Sequence, residues 1–504
     1  MLYQLKFKDE PLHQLSSHDL LQLTVDTKRH RPPSNTQKKP YKKEPAGISL
    51  EKSCRDFFKT WMAVYLLKYG LDILPSVSSG KIFTKPSVLR KSGGRDTAGF
   101  ALFFSAYLTV YKTLLRVLRQ RQPLGHENQR NAFVAGSVAG LTVLLDRNKD
   151  RRSSMALTLF VRAVQFGLAS AMLNRSQRIH NKPLKTRERE QEDDEKKKKE
   201  GSSNWEQKMF KLVPTLAPSL LLVLSAMTNI YALLIDPDCL TGSYYRFLNG
   251  IADLRGTIGP EWETMMGAFR TRLAVLEATA PSHPTREFIR LSVGTSSHEF
   301  VSTHFSKELA ATVPKHIHHS YQLCALLHPK LSCTGNATTV AMGSMRRAIK
   351  MYAVFYGVMT LLWKRKKALE KPKETAYGFV KSTLRSAAML SLHTLLCCNA
   401  MCLTRRIIGR EHRWNYLLNG ILGSLAMWIE VPGRRNELIL YMAQRALETS
   451  WRLFSKRGLV RRIPQWDTAL LSLSMGVVMS VYQSKPEAIS NMYRGALDRA
   501  CGRS

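Results

Sequence analysis

The segment 131-NAFVAGSVAGLTVLLD-146 decides the fold, because the chain repeats its pattern as 415-NYLLNGILGSLAMWIE-430. Both segments begin with an asparagine, place two small residues four positions apart, and end with an acid after an apolar run. In both, the similarity continues into a pair of adjacent arginines and then an Arg-Ala step within the next apolar run. Self-similarity in this order predicts an internal repeat.

Small residues on one helix face are the first feature of the repeat. Gly136 and Gly140 are four residues apart, as are Gly420 and Ser424, so each pair shares one face of its helix. Such faces let helix backbones approach closely in lipid, where helices gain little from hydrophobic association. We predict a close helix crossing at each pair, and dimerisation through this face is the alternative.

A polar turn follows each repeated segment and is its second feature. The acid that ends the segment is followed closely by the arginine pair, and adjacent arginines can hold phosphate groups bidentately. The pattern predicts a turn between two helices in the headgroup layer, and a docking point for lipid phosphate or a partner is the alternative. The residues of the two turns are Asp146, Arg151, Arg152, Glu430, Arg434 and Arg435.

Arginines within apolar runs are the third feature. Arg162 and Arg445 lie near the middle of their runs, and an arginine at bilayer depth costs at least ~2.5–3.5 kcal/mol, so it normally faces protein or water. Glu448 follows Arg445 by three residues and is predicted to pair with it, whereas Gln165 occupies the corresponding position after Arg162. We predict arginines packed between helices, and a polar path or a headgroup site at the repeat interface is the alternative.

The apolar runs define the fold class. Five runs occur in each half of the chain, and most are near the ~20 residues that cross a bilayer. We therefore predict an all-α, multi-pass helical membrane protein with two sequence-related halves of about five helices each. The run 131–145 spans only about 22 Å against a hydrocarbon core of about 30 Å, so tilted, extended and re-entrant arrangements stay open.

Composition divides the chain into segments. The Lys-, Arg- and Pro-rich N-terminus is predicted to be disordered, and a tract dense in both charge signs is predicted to be an exposed linker. The predicted order is a basic tail 1–50, a first membrane repeat 51–173, a charged linker 174–208, the fifth helix of the first repeat 209–236, an amphipathic connecting region 237–345, a second membrane repeat 346–487 and a C-terminal tail 488–504.

The formal net charge of +38 favours anionic partners. Much of this charge flanks apolar runs, so we predict contact with a bilayer that has anionic headgroups. Nucleic acid is disfavoured because the sequence carries no recognised nucleic-acid-binding motif, whereas self-association and other membrane proteins stay open as partners. The first residues lack an apolar signal region and include Asp9 and Glu10, so any targeting signal is predicted to be internal.

Motifs for catalysis are absent from the sequence. It contains no Walker A loop, no GxSxG element and no dinucleotide fingerprint, so neither enzyme activity nor a cofactor is predicted. The eight cysteines include no CxxC pair, and His316, His318 and His319 have no Cys or carboxylate at ligand spacing. We therefore predict no metal site, while a disulfide between Cys324 and Cys333 stays open.

Several motifs in series resemble a known family. They are His328-Pro329 with Ser332-Cys333, 348-AIKMYAVFYGV-358, Ile429-Glu430 with the arginine pair, 437-ELILYMAQRALETSW-451 and 456-KRG-458, joined in the first half by Cys54, 132-AFVAGSVAGLTVLL-145 and Arg162-Ala163. On these residues the chain resembles the transmembrane protein 135 family, also described as a peroxisomal membrane protein group. The His-Pro and Ser-Cys element precedes the second repeat here, whereas the family is expected to carry it near the N-terminus.

The resemblance implies an integral protein of mitochondrial or peroxisomal membranes. The family is associated with the balance of mitochondrial fission and fusion and with lipid handling, and the resemblance implies no catalytic residues. More distantly, the chain resembles the channel-forming subunits of mitochondrial protein translocases, which use short Gly-rich helices. We therefore expect a non-enzymatic regulator of organelle membrane dynamics and lipid homeostasis, and a transporter or translocation channel built on an inverted repeat is the alternative.

Overall fold

The computed structural model describes residues 50–78, 87, 92–120, 128–180, 205–253, 260–279, 286–363, 365–461 and 463–501. Within these ranges the chain forms seventeen α-helices and no β-strand, which confirms the all-α prediction. The helices are α1 Leu50–Ser78, α2 Arg95–Gln120, α3 Asn128–Gly140, α4 Lys149–His180, α5 Trp205–Leu234, α6 Gly242–Ala252, α7 Trp262–Thr279, α8 Ser297–His304, α9 Lys307–Ala310, α10 Gln322–Leu327, α11 Cys333–Trp363, α12 Arg365–Glu370, α13 Pro372–Ile408, α14 Asn415–Ser424, α15 Pro432–Lys456, α16 Trp466–Ser484 and α17 Asn491–Cys501.

The two repeated segments adopt the same local structure. α3 tightens into a 3₁₀ turn over Leu141–Leu145 and ends at Asp146, which has extended backbone. α14 likewise tightens over Leu425–Ile429 and ends at Glu430. Because the second part of each run is a 3₁₀ turn, neither apolar segment forms one continuous α-helix across its whole length.

Four of the described helices are long and apolar enough to cross a bilayer, namely α2, α4 over Lys149–Arg175, α5 over Ala217–Leu234, and α13. α4 shows how such a helix divides its faces. Phe160, Val164, Leu168 and Met172 recur every four residues and are exposed, whereas Ala163 on another face is buried. An outward stripe of large apolar side chains suits contact with lipid tails, and the chain is a multi-pass helical membrane protein.

The short helices pack reciprocally within residues 56–504, which form one compact unit. α3 packs against α16, the last long helix of the chain, while α14 packs against α5, the last helix before the connecting region. α4 contacts α16 in the same way as α15 contacts α5. Each repeated short helix thus packs against the last long helix of the other part of the chain. The division into two sequence-related halves stays a prediction.

The connecting region forms its own hydrophobic core. Trp262, Phe269 and Val301 are buried together with apolar residues of α10, and this core continues to Met401 of α13 and Tyr416 of α14. The polar region predicted over 237–345 is therefore a folded layer of short helices that packs on one end of the membrane helices. Its C-terminal part continues into α11, which runs from Cys333 through the start of the predicted second repeat.

Two predicted tails and the charged linker are only partly described. The predicted basic tail 1–50 lies outside the described residues except for Leu50, where α1 begins. α4 continues to His180 and α5 begins at Trp205, so both ends of the predicted linker 174–208 are helical. The predicted C-terminal tail 488–504 includes α17.

Candidate functional site

The small residues of the repeat lie at the closest helix crossings. A Cβ atom added at Gly140 would come 2.6 Å from the Cα of Ser472 on α16, and one added at Gly136 would come 2.9 Å from the carbonyl oxygen of Met475. A Cβ added at Gly420 would overlap the backbone of Met227 on α5. Ser424 is also buried. The glycine faces are therefore covered within the chain, which favours the helix-crossing interpretation over dimerisation.

Ion pairs between residues of the chain hold the first polar turn in place. Asp146 is fully buried and accepts a hydrogen bond from Nε of Arg151 at 2.6 Å. Arg151 also donates bidentately to Asp96 at 2.7 and 2.9 Å, and Nε of Arg152 contacts Asp467 at 3.0 Å. Both guanidinium groups already have carboxylate partners, so the geometry favours a structural turn over a free phosphate site.

The second polar turn is closed by a different set of contacts. Glu430 is buried, accepts a hydrogen bond from the Ser386 hydroxyl, and lies 3.4 Å from Nε of Arg434. Arg435 donates to the Glu430 carbonyl oxygen at 3.0 Å and stacks 4.5 Å over the Trp428 ring. The acid and its arginines thus fix the turn, as they do in the first copy.

The two arginines of the apolar runs each pair with an acid, which lies on another helix for Arg162 and on the same helix for Arg445. Arg162 is 7% exposed, forms an ion pair with Glu437 of α15, and donates to Gln165 at 2.9 Å. Arg445 contacts Glu448 at 3.1 Å, as predicted from their spacing. Both arginines also lie over aromatic rings, Tyr493 for Arg162 and Tyr244 and Tyr441 for Arg445. These contacts neutralise the buried charge.

A cavity of about 540 Å³ opens beside this network, between α15 and the start of α16. Its charged lining consists of Glu448, Arg452 and Lys456, which follow each other at four-residue spacing on α15, and of Asp238. Trp451 and Trp466 also line the cavity, with their rings 6.0 Å apart. Two partly exposed cations beside two tryptophan rings match an amphipathic ligand with an anionic head.

A cluster of three cysteines and one histidine lies where the connecting region meets α13. Cys324 comes from α10, His328 from the turn after it, Cys333 from the start of α11, and Cys402 from α13. Their four potential ligand atoms all lie within 4.8 Å of one another. All eight cysteines of the chain are free thiols, including the pair Cys324 and Cys333 for which a disulfide was left open.

The contacts within the cluster shift the pKa values of Cys324 and His328. Hydrogen bonds from Cys333 and Cys402, together with the nearby Arg405 guanidinium, hold the pKa of the Cys324 thiol well below its usual range. Burial lowers the pKa of His328, but its hydrogen bonds with Cys324 and Cys333 outweigh burial and raise that pKa to about 9. A thiolate beside a histidine is the kind of environment in which cysteine acts as a ligand or a nucleophile.

A fully buried ion pair adjoins the cluster. Arg405 is 1% exposed, contacts the Glu411 carboxylate through Nε, and donates to the Tyr416 hydroxyl at 3.0 Å. Its NH1 lies 3.2 Å from the Cys324 sulfur. Arg405 therefore links the end of α13, the start of α14 and the cysteine cluster.

Sequence reasoning missed this cluster for a physical reason. The prediction of no metal site rested on the absence of CxxC pairs, whereas these residues have the spacing Cys-x₃-His-x₄-Cys followed by a distant cysteine. The signal that was available is the His-Pro and Ser-Cys element, which contains two of the four residues. His319, considered earlier as a ligand, instead contacts Nδ1 of His328 at 3.1 Å.

The membrane-length helices, their exposed apolar side chains and their neutralised internal charges define a multi-pass membrane protein with a layer of short helices at one end. This layer supplies Cys324 and Cys333 to the cluster and is called the cysteine-rich layer below. Residues 318–455 match the family model described as the N-terminal cysteine-rich region of Transmembrane protein 135. This match supports the resemblance to the transmembrane protein 135 family seen in the sequence. The match includes all four residues of the cluster. No solved structure matches the chain.

Proposed function

We propose that this chain is a non-enzymatic integral protein of mitochondrial or peroxisomal membranes that regulates membrane dynamics, through the fission–fusion balance, and lipid homeostasis. The match to the family model and the membrane-length helices support the placement in an organelle membrane. The observation that carries the role in lipid handling is the cavity lined by Glu448, Trp451, Arg452, Lys456 and Trp466.

The cavity suits an anionic lipid better than it suits a solute in transit. Arg452 contacts Glu448 at 3.1 Å, and Lys456 contacts Asp236 at 2.9 Å and Asp238 at 3.7 Å. Both cations therefore already have carboxylate partners but keep further N–H groups. Arg452 and Lys456 are 34% and 50% exposed, so those groups can reach an incoming phosphate. The two tryptophans provide an apolar surface for the glycerol and upper chain of such a lipid.

Removing both cations at the cavity is expected to weaken lipid binding. We expect the double substitution Arg452→Gln and Lys456→Gln to reduce retained anionic phospholipid about tenfold, equivalent to about 1.4 kcal/mol. Native mass spectrometry of the chain released from nanodiscs of mixed anionic and neutral lipid measures this directly. The matched control is Lys367→Gln with Lys371→Gln, which removes two exposed cations that pair with Glu374 elsewhere. Equal lipid retention in both variants would remove the cavity from the proposal.

The cellular arm tests the proposed role itself. Cells lacking the chain should change mitochondrial length and stored neutral lipid, and the wild-type chain and the control variant should restore both. The cavity variant should insert into the membrane but restore lipid content less completely. If cells lacking the chain keep normal organelle shape and lipid content, the proposed role fails even where lipid binding is intact.

Transport is the second candidate, and the reciprocal packing of α3 on α16 and of α14 on α5 is the observation that favours it. This packing, in which the short helix of each half contacts a long helix of the other half, suits two halves of opposite orientation around a central path. The ion pairs of Arg162 and Arg445 instead favour a closed interior. We therefore expect wild-type proteoliposomes to pass small anions no faster than empty liposomes. Flux that disappears in Arg162→Leu with Arg445→Leu, while both proteins stay monodisperse, would favour transport.

A further inference from the structure

We propose that Cys324, His328, Cys333 and Cys402 bind one Zn²⁺ ion in a closed structural site, which fastens the cysteine-rich layer to the membrane helix α13. The four residues come from three separate elements, and Cys402 is 74 positions from His328 along the chain. Three cysteine thiolates and one histidine imidazole are one of the ligand sets that structural zinc sites use.

The separations between ligand atoms match a zinc tetrahedron. With Zn–S bonds of about 2.3 Å and Zn–N bonds of about 2.0 Å, two sulfurs lie about 3.8 Å apart and a sulfur and a nitrogen about 3.5 Å apart. The sulfurs of Cys324 and Cys402 are 3.8 Å apart. Nε2 of His328 lies 3.6 Å from the Cys402 sulfur and 3.7 Å from the Cys333 sulfur. These three separations match the edges of such a tetrahedron, and all four ligand atoms lie within 4.8 Å of one another.

The surrounding contacts orient the ligands. Nδ1 of His328 lies 3.0 Å from the carbonyl oxygen of Leu331, so Nδ1 donates there, and Nε2, which faces the sulfurs, is the nitrogen that binds zinc once its proton is released. A metal-binding histidine almost always donates its other N–H in this way, because that bond fixes the tautomer and the ring orientation. NH1 of Arg405 lies 3.2 Å from the Cys324 sulfur and offsets the negative charge of three thiolates around one divalent ion.

Other arrangements of the same residues fit less well. A disulfide needs sulfurs about 2.0 Å apart, far below the 3.8 Å between Cys324 and Cys402. An iron–sulfur cluster of two irons would spread its protein ligands over opposite ends, whereas these four ligand atoms all lie within 4.8 Å of one another. Because protein atoms supply all four ligands, no coordination position is open for substrate, and the site is structural rather than catalytic.

The metal content of the purified chain tests the proposal. The full chain is purified in detergent through an affinity tag that does not bind metal, and its metals are measured by plasma mass spectrometry. We expect about one zinc per wild-type chain and less than about one fifth of that in Cys402→Ser, since losing one of four ligands opens the site. Cys398→Ser is the matched control, because Cys398 lies one turn earlier on α13 and is outside the cluster. It should keep its zinc.

X-ray absorption at the zinc edge of the wild-type chain is the second measurement, and it keeps the proposal testable even if Cys402→Ser fails to fold. The expected signal is three sulfurs at about 2.3 Å and one nitrogen at about 2.0 Å. Wild-type chain without stoichiometric zinc, zinc bound without sulfur ligands, or iron in place of zinc would each overturn the proposal. So would full zinc retention in a folded Cys402→Ser chain. None of these results depends on lipid binding at the cavity.

Discussion

Replacing Arg405 with methionine is expected to destabilise the folded chain by about 3–5 kcal/mol, because it removes one partner of a buried ion pair and leaves the other charged. Glu411 is 3% exposed and would lose its guanidinium partner, while the Tyr416 hydroxyl would lose a hydrogen bond of 3.0 Å. Methionine has a similar length, so the loss comes from uncompensated charge rather than from a large cavity. Thermal unfolding of the detergent-solubilised chain, followed by tryptophan fluorescence, measures the effect.

The neighbouring Arg406 provides the control. It lies one residue further along α13 and is exposed, so Arg406→Met should change the unfolding midpoint little. The double substitution Arg405→Met with Glu411→Gln should recover part of the lost stability, because the remaining buried group is then neutral. An Arg405→Met chain as stable as Arg406→Met would show that the buried pair does not hold α13 and α14 together.

The loss in Arg405→Met could come through two routes, one through Glu411 and Tyr416 and the other through the Cys324 sulfur, and zinc content separates them. If Arg405 acts only through Glu411 and Tyr416, the variant keeps its zinc while its unfolding midpoint falls. If its contact with the Cys324 sulfur is also needed to offset thiolate charge, zinc occupancy falls with stability. Either result identifies the route by which the end of α13 is attached to the cysteine-rich layer.

Local features of this fold were predictable from sequence, and long-range partners were not. Helix type, the small-residue faces and the pairing of Arg445 with Glu448 follow from spacing within a few residues. Arg162 was predicted to be packed against protein, but its acidic partner Glu437 is 275 positions away. No periodicity in a single sequence specifies which distant acid meets a buried arginine, because the fold brings the two together.

The cysteine cluster was missed for the same reason. Three of its residues follow each other at short spacing, but Cys402 lies within an apolar run, where a cysteine is usually a small hydrophobic residue. The fold converts it into a ligand by placing the cysteine-rich layer at that end of α13. Similarly, the run 131–145 gave no sign that its second part tightens into a 3₁₀ turn before the buried Asp146.

Alanine at Gly420 is expected to have the second large effect, since its Cβ would overlap the backbone of Met227 and no side-chain rotation could relieve the clash. Overpacking typically costs about 1–3 kcal/mol, and a clash with backbone belongs at the upper end or beyond it. We expect a sharp loss of monodisperse protein and a lower unfolding midpoint, measured by size-exclusion chromatography and fluorescence. The crossing of α14 on α5 would open first.

A graded series makes this prediction specific to the helix crossings. Gly140→Ala places its Cβ 2.6 Å from Ser472, and Gly136→Ala 2.9 Å from Met475, so the losses should fall in the order Gly420, Gly140, Gly136. Gly357→Ala on α11 meets no atom within 4 Å and should be neutral or slightly stabilising, because alanine favours helix by roughly 0.5–1 kcal/mol. Four equal losses would mean that glycine flexibility matters at these positions. The graded order would mean that the reciprocal contacts of α3 with α16 and of α14 with α5 hold the membrane domain together.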